Sequence, residues 1–245
     1  MSNKIFDLSG KVVLITGGAG LLGKMHAEAV REYGGIPVLT DVVESEDCHY
    51  MDVTDKNSIQ KFADSLDKID VLINNAALNP TMSTKKQSNR FEDFSLDVWN
   101  KSLNVNLTGV FLCSQVFINK MIKDNVKGVV INVASDLGVI SPDHRIYDGD
   151  VKPVDYSVTK HGVIGITKYL STYFADKNIR VNSISPGGVY TNQSQNFVKR
   201  LSNLIPMNRM ANKDEYKGSI VFLCSDASSY MTGHNLIVDG GRTVW

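Results

Sequence analysis

Tyr156 and Lys160 stand one helical turn apart in Tyr156-Ser157-Val158-Thr159-Lys160, which puts a phenol and an ammonium on one helix face. A phenol that titrates near pH ~10 is a poor acid–base catalyst at neutral pH, and a neighbouring cation stabilises its phenolate. The chain has 9 tyrosines, so a Tyr-x-x-x-Lys match is weak alone, and Tyr173 and Lys177 repeat it. Position separates the two pairs. Tyr156 is expected to open a helix, with Asp155 as its N-cap, just past a polar segment that leaves a strand end. Tyr173 falls some ~25 Å further along the same helix, at ~1.5 Å per residue, and reads as a packing residue.

A second constellation lies near the start. A short apolar run enters Thr16-Gly17-Gly18-Ala19-Gly20-Leu21-Leu22-Gly23, and a helical pattern follows. Gly18, Gly20 and Gly23 satisfy G-x-G-x-x-G in the strand–turn–helix setting where the backbone can approach a pyrophosphate and the helix N-terminus offers free N–H groups. The same glycines would also suit a turn built only for tight packing. Asp41 ends the next strand, near where an acid holds the adenosine ribose hydroxyls and repels a 2′-phosphate. No Arg or Lys lies inside the glycine turn. NAD(H) is therefore favoured over NADP(H), unless Asp41 only caps a loop. Asp52 and Val53 could flank the adenine, with Asp52 equally suited to a turn.

The elements that must hold these groups alternate. Val12–Ile15, Pro37–Thr40, Val71–Asn74, Val129–Val133, Val181–Ser185 and Leu236–Val238 read as strands, mostly continuous apolar runs of the kind covered on both faces of a parallel sheet. Leu22, Met25, Ala29, Val30 and Tyr33 share one face of a first helix, and a second follows Thr54-Asp55, either of which could cap it. Long helices are expected from about Leu96 to Lys123 and from Tyr156 to about Asp176. The alternation predicts an α/β fold: a Rossmann-type doubly wound parallel sheet of about seven strands with helices on both faces. No biased linker or internal repeat interrupts residues 1–245, so one domain is expected.

Lys plus Arg and Asp plus Glu are 26 each, a formal net charge of zero. That balance, without a basic stripe, argues against a nucleic-acid or anionic-membrane partner. Three scattered cysteines, Cys48, Cys113 and Cys224, suit neither a disulfide framework nor a metal site and fit a reducing compartment. No apolar run approaches the ~18 residues of a membrane span, and the first residues carry no signal core. A cytoplasmic protein acting on a small molecule is expected.

With the glycine turn and the Tyr156–Lys160 pair in place, the chain resembles the short-chain dehydrogenase/reductase family along essentially its whole length. Asn74-Asn75-Ala76-Ala77 is similar to the family's segment after the fourth strand, with Ala77 where Gly is more usual. Asn106, in Asn104-Val105-Asn106, and Ser135, in Asn132-Val133-Ala134-Ser135, match the Asn and Ser of its catalytic tetrad. Ser185-Pro186-Gly187-Gly188-Val189-Tyr190-Thr191 resembles the loop that meets the nicotinamide. Thr232-Gly233-His234 and Val238-Asp239-Gly240-Gly241 match its terminal signature. The resemblance implies that Tyr156 exchanges a proton with the reacting oxygen while Ser135 orients that oxygen. Lys160 lowers the Tyr156 pKa and holds the nicotinamide ribose, and Asn106 positions a proton-relaying water. It places Gly17, Leu21, Leu22, Asn75, Ala76, Ala77, Pro186, Gly187, Val189 and Thr191 around the cofactor. In isolation, Ser135 would read as a turn cap and Asn106 as a partner of helix backbone.

Two departures stand out. Leu21 sits where the family's short branch usually has Gly, an arrangement closer to the extended branch that handles nucleotide sugars. Leu78–Asp93 is a polar insertion of the length that is usually functional or mobile, and the Ser135–Tyr156 interval is also longer than usual, so Leu137–Asp155 is expected to build part of a substrate pocket. His144 and Arg145 are its candidate substrate contacts, Arg145 suited to a carboxylate or phosphate, with Lys85, Lys86 and Arg90 able to approach from the other insertion. A solvated surface loop is the alternative. The segment resembles that of oxidoreductases in flagellin-modification and nonulosonic-type sugar pathways, which implies a sugar or sugar-phosphate substrate. A nucleotide-sugar epimerase or dehydratase and a non-catalytic NAD-binding regulator are the competing readings. Surplus apolar residues on the two long helices (Trp99, Leu103, Leu107, Val110 and Phe111; Val163, Ile164, Ile166, Leu170 and Phe174) point to a homodimer or homotetramer. Val244-Trp245 would join that interface or fray.

Overall fold

The continuous apolar runs become strands buried from both sides. A computed structural model describes residues 4–79 and 88–245. Strands β1 (Val12–Thr16), β2 (Ile36–Asp41), β3 (His49–Tyr50), β4 (Val71–Asn74), β5 (Val129–Val133), β6 (Arg180–Pro186) and β7 (Asn235–Val238) form one parallel sheet in the order β3-β2-β1-β4-β5-β6-β7. The six expected strands are present. β3 is an addition to them, because its two residues are exposed and pair only at the edge of β2.

Side-chain alternation along each strand feeds two cores. Val13 and Ile15 pack with α1 (Leu21–Glu32) and α6 (Lys217–Cys224), whereas Leu14 packs with α2 (Lys56–Ser65) and α4 (Gly109–Lys123) on the opposite face. β4 and β5 divide in the same way, Ile73 and Ile131 to one side, Leu72 and Val130 to the other. This is the doubly wound Rossmann-type arrangement. The strand order reverses between β2-β1 and β4-β5, so the carboxyl ends of β1 and β4 open the crevice where such sheets bind ligands.

The helices depart from the sequence reading in detail. Asp55 is the N-cap of α2, its carboxylate accepting from the Asn57 amide. α1 buries Gly23, His26, Ala27, Ala29 and Val30, while Met25 is half-buried and Tyr33 exposed. The face is rotated from the expected one because small residues bring the helix close to the glycine turn. His26, polar by type, nevertheless lies in the core with both ring nitrogens unpartnered, and burial lowers its pKa to about 4. α3 (Leu96–Leu103) continues through a π-helical turn, Asn104–Thr108, into α4. By length and composition this 28-residue helix could cross a membrane, contrary to the expectation that no such run exists. Cys113, Val116, Phe117, Ile118 and Met121 are instead buried against the sheet. α5 (Val154–Tyr173) begins behind Pro153, not behind Asp155. Asp155 falls in the first turn, fully buried, and accepts the Ser102 hydroxyl of α3, so its carboxylate ties two helices together and caps neither. Tyr173 packs at the surface against Tyr169 and Phe174.

Candidate active site

A cavity of about 1020 Å³ follows the carboxyl edge of the sheet from the glycine turn to Tyr156. Its outer end is built around Thr16, the last residue of β1. The Thr16 hydroxyl accepts the backbone N–H groups of Asn75 and Ala76 at 3.1 Å each, and Asn75 Nδ2 donates to the carbonyls of Thr16 and Gly17 at 3.0 Å each. These bonds clamp the turn onto the exit of β4. Gly17 has φ +65°, and a Cβ there would stand 2.7 Å from Ala76 Cα, so only glycine fits. α1 then starts at Leu21 with Gly20 at its N-cap and no side-chain cap. Its first N–H groups are left for another acceptor, which suits the pyrophosphate of a dinucleotide.

Gly17, Gly20, Leu21, Leu22, Asn75, Ala76 and Ala77 line this end. Gly18 and Gly23 do not; they allow close packing behind the turn, Gly18 against Leu39 and Gly23 against Gly17 and Gly18. Asp41 does two things at once. Its carboxylate accepts from the Ala19 amide at 3.2 Å and the Val43 amide at 3.3 Å while also facing the cavity, where ribose hydroxyls would meet it. Asp52 likewise closes a turn on Thr54 and lines the cavity beside Val53. Pro186, Gly187, Val189 and Thr191 complete the wall beyond β6.

At the inner end β5 delivers Ser135 and α5 delivers Tyr156 and Lys160, all three lining the cavity. Lys160 Nζ donates to the Val133 carbonyl at 2.8 Å and lies 5.7 Å from the centre of the Tyr156 ring. Burial, with the charge of Lys152 in support, pulls the Lys160 pKa down to about 8. Burial pushes Tyr156 up to about 12, against the opposing pull of the adjacent Ser135 hydroxyl. Both groups therefore carry their protons at neutral pH. Ser135 Oγ donates to Asp136 Oδ1 at 2.8 Å and accepts from the Leu137 amide at 3.2 Å.

Asn106 lies behind this end and does not line the cavity. It sits in the π-helical turn, a feature often found at functional sites, and is almost fully buried. Its Oδ1 accepts the Leu78 amide at 2.7 Å, and its Nδ2 donates to the Leu78 carbonyl and, at 3.3 Å, to Thr159 of α5. The side chain thus shapes the wall behind Lys160.

Two expected substrate contacts are not brought here. His144 and Arg145 fall on a short 3-10 turn whose Ile146 is buried among Leu201, Ile205 and Met210, which turns both of them outward. Arg145 is bound to Asp143 at 2.7 Å with 88% of its side chain exposed. Lys85 and Lys86 lie outside the described residues. Arg90 donates to the Gly149 carbonyl, bracing one insertion against the other. The insertion instead presents Tyr147 and Lys152 to the cavity, and α3 presents Asp97, Asn100 and Lys101. Sequence reasoning also missed Thr16, Asp136 and Arg242. A faint sign of Arg242 existed in the Gly-Gly turn before it, where Gly240 and Gly241 both take positive φ and Asp239 accepts from the amides of Gly241 and Thr243.

The chain has clear relatives. The family profile described as enoyl-(acyl carrier protein) reductase matches residues 23–243. A 3-oxoacyl-(acyl-carrier-protein) reductase of Aquifex aeolicus is 32% identical, over 96% of this chain and 98% of that protein. A 2-dehydro-3-deoxy-D-gluconate 5-dehydrogenase of Dickeya dadantii is 31% identical over 96% of each. The crystal structure of a short-chain dehydrogenase from Leptospira borgpetersenii, with bound NAD+, superposes with a TM-score of 0.90 at 34% identity, covering 100% of this chain and 97% of that one.

Proposed function

The chain belongs to the short-chain dehydrogenase/reductase family of oxidoreductases acting on alcohol or keto groups, and from that premise we propose that it is an NAD(H)-dependent enzyme interconverting a secondary alcohol and a ketone on a sugar or sugar-phosphate derivative. One observation carries this reading. Ser135, Tyr156 and Lys160 meet at one end of a cavity whose other end is the glycine turn and Asp41.

When bound, the nicotinamide cofactor supplies the hydride acceptor or donor. The protein's own groups do the rest. Tyr156 takes up or gives the proton on the reacting oxygen, and Ser135 hydrogen-bonds that oxygen and orients it. Lys160, held by the Val133 carbonyl, stabilises the Tyr156 phenolate and receives the nicotinamide ribose hydroxyls. Gly17, Gly20, Leu21 and Leu22 receive the pyrophosphate and Asp41 the adenosine ribose, which favours NAD over NADP. Asn106 acts as a positioning residue, fixing Leu78 against α5.

The substrate class is supported by the polar wall of Asp97, Asn100, Lys101, Tyr147 and Lys152, which suits hydroxyls better than a fatty chain. The sugar-acid relative points the same way. The likeness of the Leu137–Asp155 segment supports a role in a flagellin-glycan or nonulosonic-type pathway. The reading includes one domain over residues 1–245 in a reducing, cytoplasmic compartment, supported by three free, buried cysteines. It includes a homodimer or homotetramer, supported by the exposed apolar and aromatic side chains Phe111, Val158, Tyr169 and Tyr173 on α4 and α5. Neither nucleic acid nor membrane is a partner in it, in keeping with the zero net charge.

The test is a nicotinamide absorbance assay with NAD and NADP across simple alcohols, free sugars, sugar phosphates and nucleotide sugars. Turnover of a sugar class with NAD is expected, reduced by about 10²-fold or more in Tyr156→Phe. Activity confined to simple alcohols removes the sugar assignment, and a preference for NADP removes the Asp41 argument.

A further inference from the structure

Lys152 is set at the reacting end of the cavity and, among the described residues, forms no ion pair; the carboxylates of Asp155 and Asp136 act on it from beyond ion-pair distance. It precedes Pro153, which starts α5, so the helix that carries Tyr156 also fixes the approach of Lys152. Its Nζ stands 3.9 Å from the centre of the Tyr156 ring and donates to Asn79 Oδ1 at 2.9 Å. Asn79 and Lys152 both line the cavity, and each comes from one of the two polar insertions. Neither contact supplies a full negative charge.

The charged groups around it are accounted for. Among the described residues no carboxylate forms an ion pair with Lys152. Asp136 is engaged by Arg242 and by Ser135, and Asp155 by Ser102. Lys160, on the same helix as Tyr156, adds positive charge and is satisfied by the Val133 carbonyl. Lys152, Lys160 and Arg242 thus bring three positive charges to this end against the two carboxylates of Asp136 and Asp155; Arg242 pairs with Asp136, while Asp155, bonded only by a neutral hydroxyl, acts on Lys152 from beyond ion-pair distance, so positive charge is in excess. An ammonium half-buried in the cavity wall without an ion pair is costly until an anion joins it, and partial burial draws its pKa down to about 8.

We propose that Lys152, with Asn79 beside it, is the subsite for an oxyanion of the substrate, a carboxylate or a phosphate monoester carried on the polyol whose hydroxyl meets Tyr156. This assigns to Lys152 the anion recognition that sequence alone suggested for Arg145, and it rests on the polyol reading above. The ammonium lies against the Tyr156 ring, so the anion it holds is close to the reacting carbon and fixes which hydroxyl is presented. The charge-assisted bond selects the acidic sugar over its neutral counterpart.

Three six-carbon probes differing in one substituent test the assignment: D-glucitol, D-gluconate and D-glucitol 6-phosphate, titrated calorimetrically into the NAD-loaded enzyme. Binding is read, so no probe has to be turned over. One acidic probe is expected to bind the wild type about tenfold or more tighter than glucitol, and which one does so separates carboxylate from phosphate. Lys152→Met is expected to abolish that difference, the acidic probe falling to the affinity of glucitol measured on the same variant, while NAD affinity stays within about twofold. Lys152→Gln, which keeps a partner for Asn79, should behave the same way and covers the case in which the methionine variant does not fold. Arg145→Ala should keep the preference. Equal binding of all three probes to the wild type, a preference that survives both Lys152 variants, or no binding of any anion overturns the proposal. Acetate and inorganic phosphate complete the set. If they bind in a Lys152-dependent way as tightly as the polyol acids, the hydroxyls contribute nothing; the polyol reading then falls while the Lys152 subsite stands.

Discussion

Arg242 donates through Nη1 to Asp136 Oδ2 at 2.6 Å, inside the wall of the cavity, with both side chains nearly buried. The other carboxylate oxygen of Asp136 accepts the Ser135 hydroxyl, so the end of the chain reaches the reacting centre through a single intervening residue. The pair has an electrostatic purpose. The Asp136 carboxylate raises the Tyr156 pKa and so opposes its phenolate, and the Arg242 guanidinium bonded to its far oxygen carries the opposite charge. The turn at Gly240 and Gly241, held by Asp239, is what aims Arg242 inward.

Breaking this pair from one side leaves a buried charge alone. Arg242→Gln should therefore lower stability by about 3–5 kcal/mol, seen as a fall in Tm of roughly 10 °C. Asp136→Asn should cost a similar amount, and the double variant less than the sum, because it leaves no uncompensated charge. Thermal melts of the four proteins decide this. Additive losses would mean that the two side chains do not depend on each other.

Asp41 offers a separate handle on the cofactor. Asp41→Ser removes the carboxylate that faces the ribose and repels a 2′-phosphate. The expected outcome is a loss in kcat/KM with NAD of about tenfold or more, with NADP use unchanged or improved. Because the carboxylate also accepts from the Ala19 amide, some loss of glycine-turn order should accompany it. A variant that loses NAD and NADP alike would assign Asp41 to bracing the turn alone.

The fold is legible in the sequence because buried parallel strands are built on continuous apolar runs; β1, β4 and β5 each hold three or four such residues in a row. Edge strand β3 is not, since His49 and Tyr50 carry no burial pattern. The glycine turn, Ser135, Tyr156 and Lys160 can be read locally, as each lies at the junction of a strand or insertion with a helix. Asp136–Arg242 cannot be, because its members are 106 positions apart and meet only after β5 and β7 are set in the sheet. Arg145 departs from its expected place for the opposite reason. Its carboxylate partner, Asp143, is two residues away, and nothing in the composition of the loop says that this neighbour takes it.

Arg145→Ala follows directly from that correction. The guanidinium forms its ion pair at the surface and does not line the cavity, so the Michaelis constant for the best substrate should be unchanged. The Asp143 carboxyl, held down to about 2 mainly by Arg145, should return toward the ordinary aspartate range, which carbon-13 titration of that side chain would show. A raised Michaelis constant would bring Arg145 back into substrate recognition.

Lys160 sets a dependence of stability on pH whose sign can be worked out. Burial lowers its pKa from 10.5 to about 8 in the folded protein. Between those values the unfolded chain binds the proton and the folded one does not, so raising pH favours folding. Below pH 8 both states are protonated and the folded protein carries the full cost of a buried ammonium; above 10.5 both are neutral and the cost is gone. At about 1.4 kcal/mol for each pH step between the two values, the change across the window is of the order of 3 kcal/mol. Tyr147 and Tyr156, whose pKa values burial raises to about 12, act in the opposite direction at higher pH, so the comparison belongs below pH 10. Lys160→Met removes the lysine's share together with its repulsion of Lys152, whose own lowered pKa acts in the same direction and remains in both proteins. The stability of the wild type relative to this variant should rise steadily from pH 8 toward 10, measured by urea unfolding at each pH. A difference that stays flat across that range would mean that the folded protein keeps Lys160 protonated, with its ammonium solvated or paired more fully than the bond to Val133 allows.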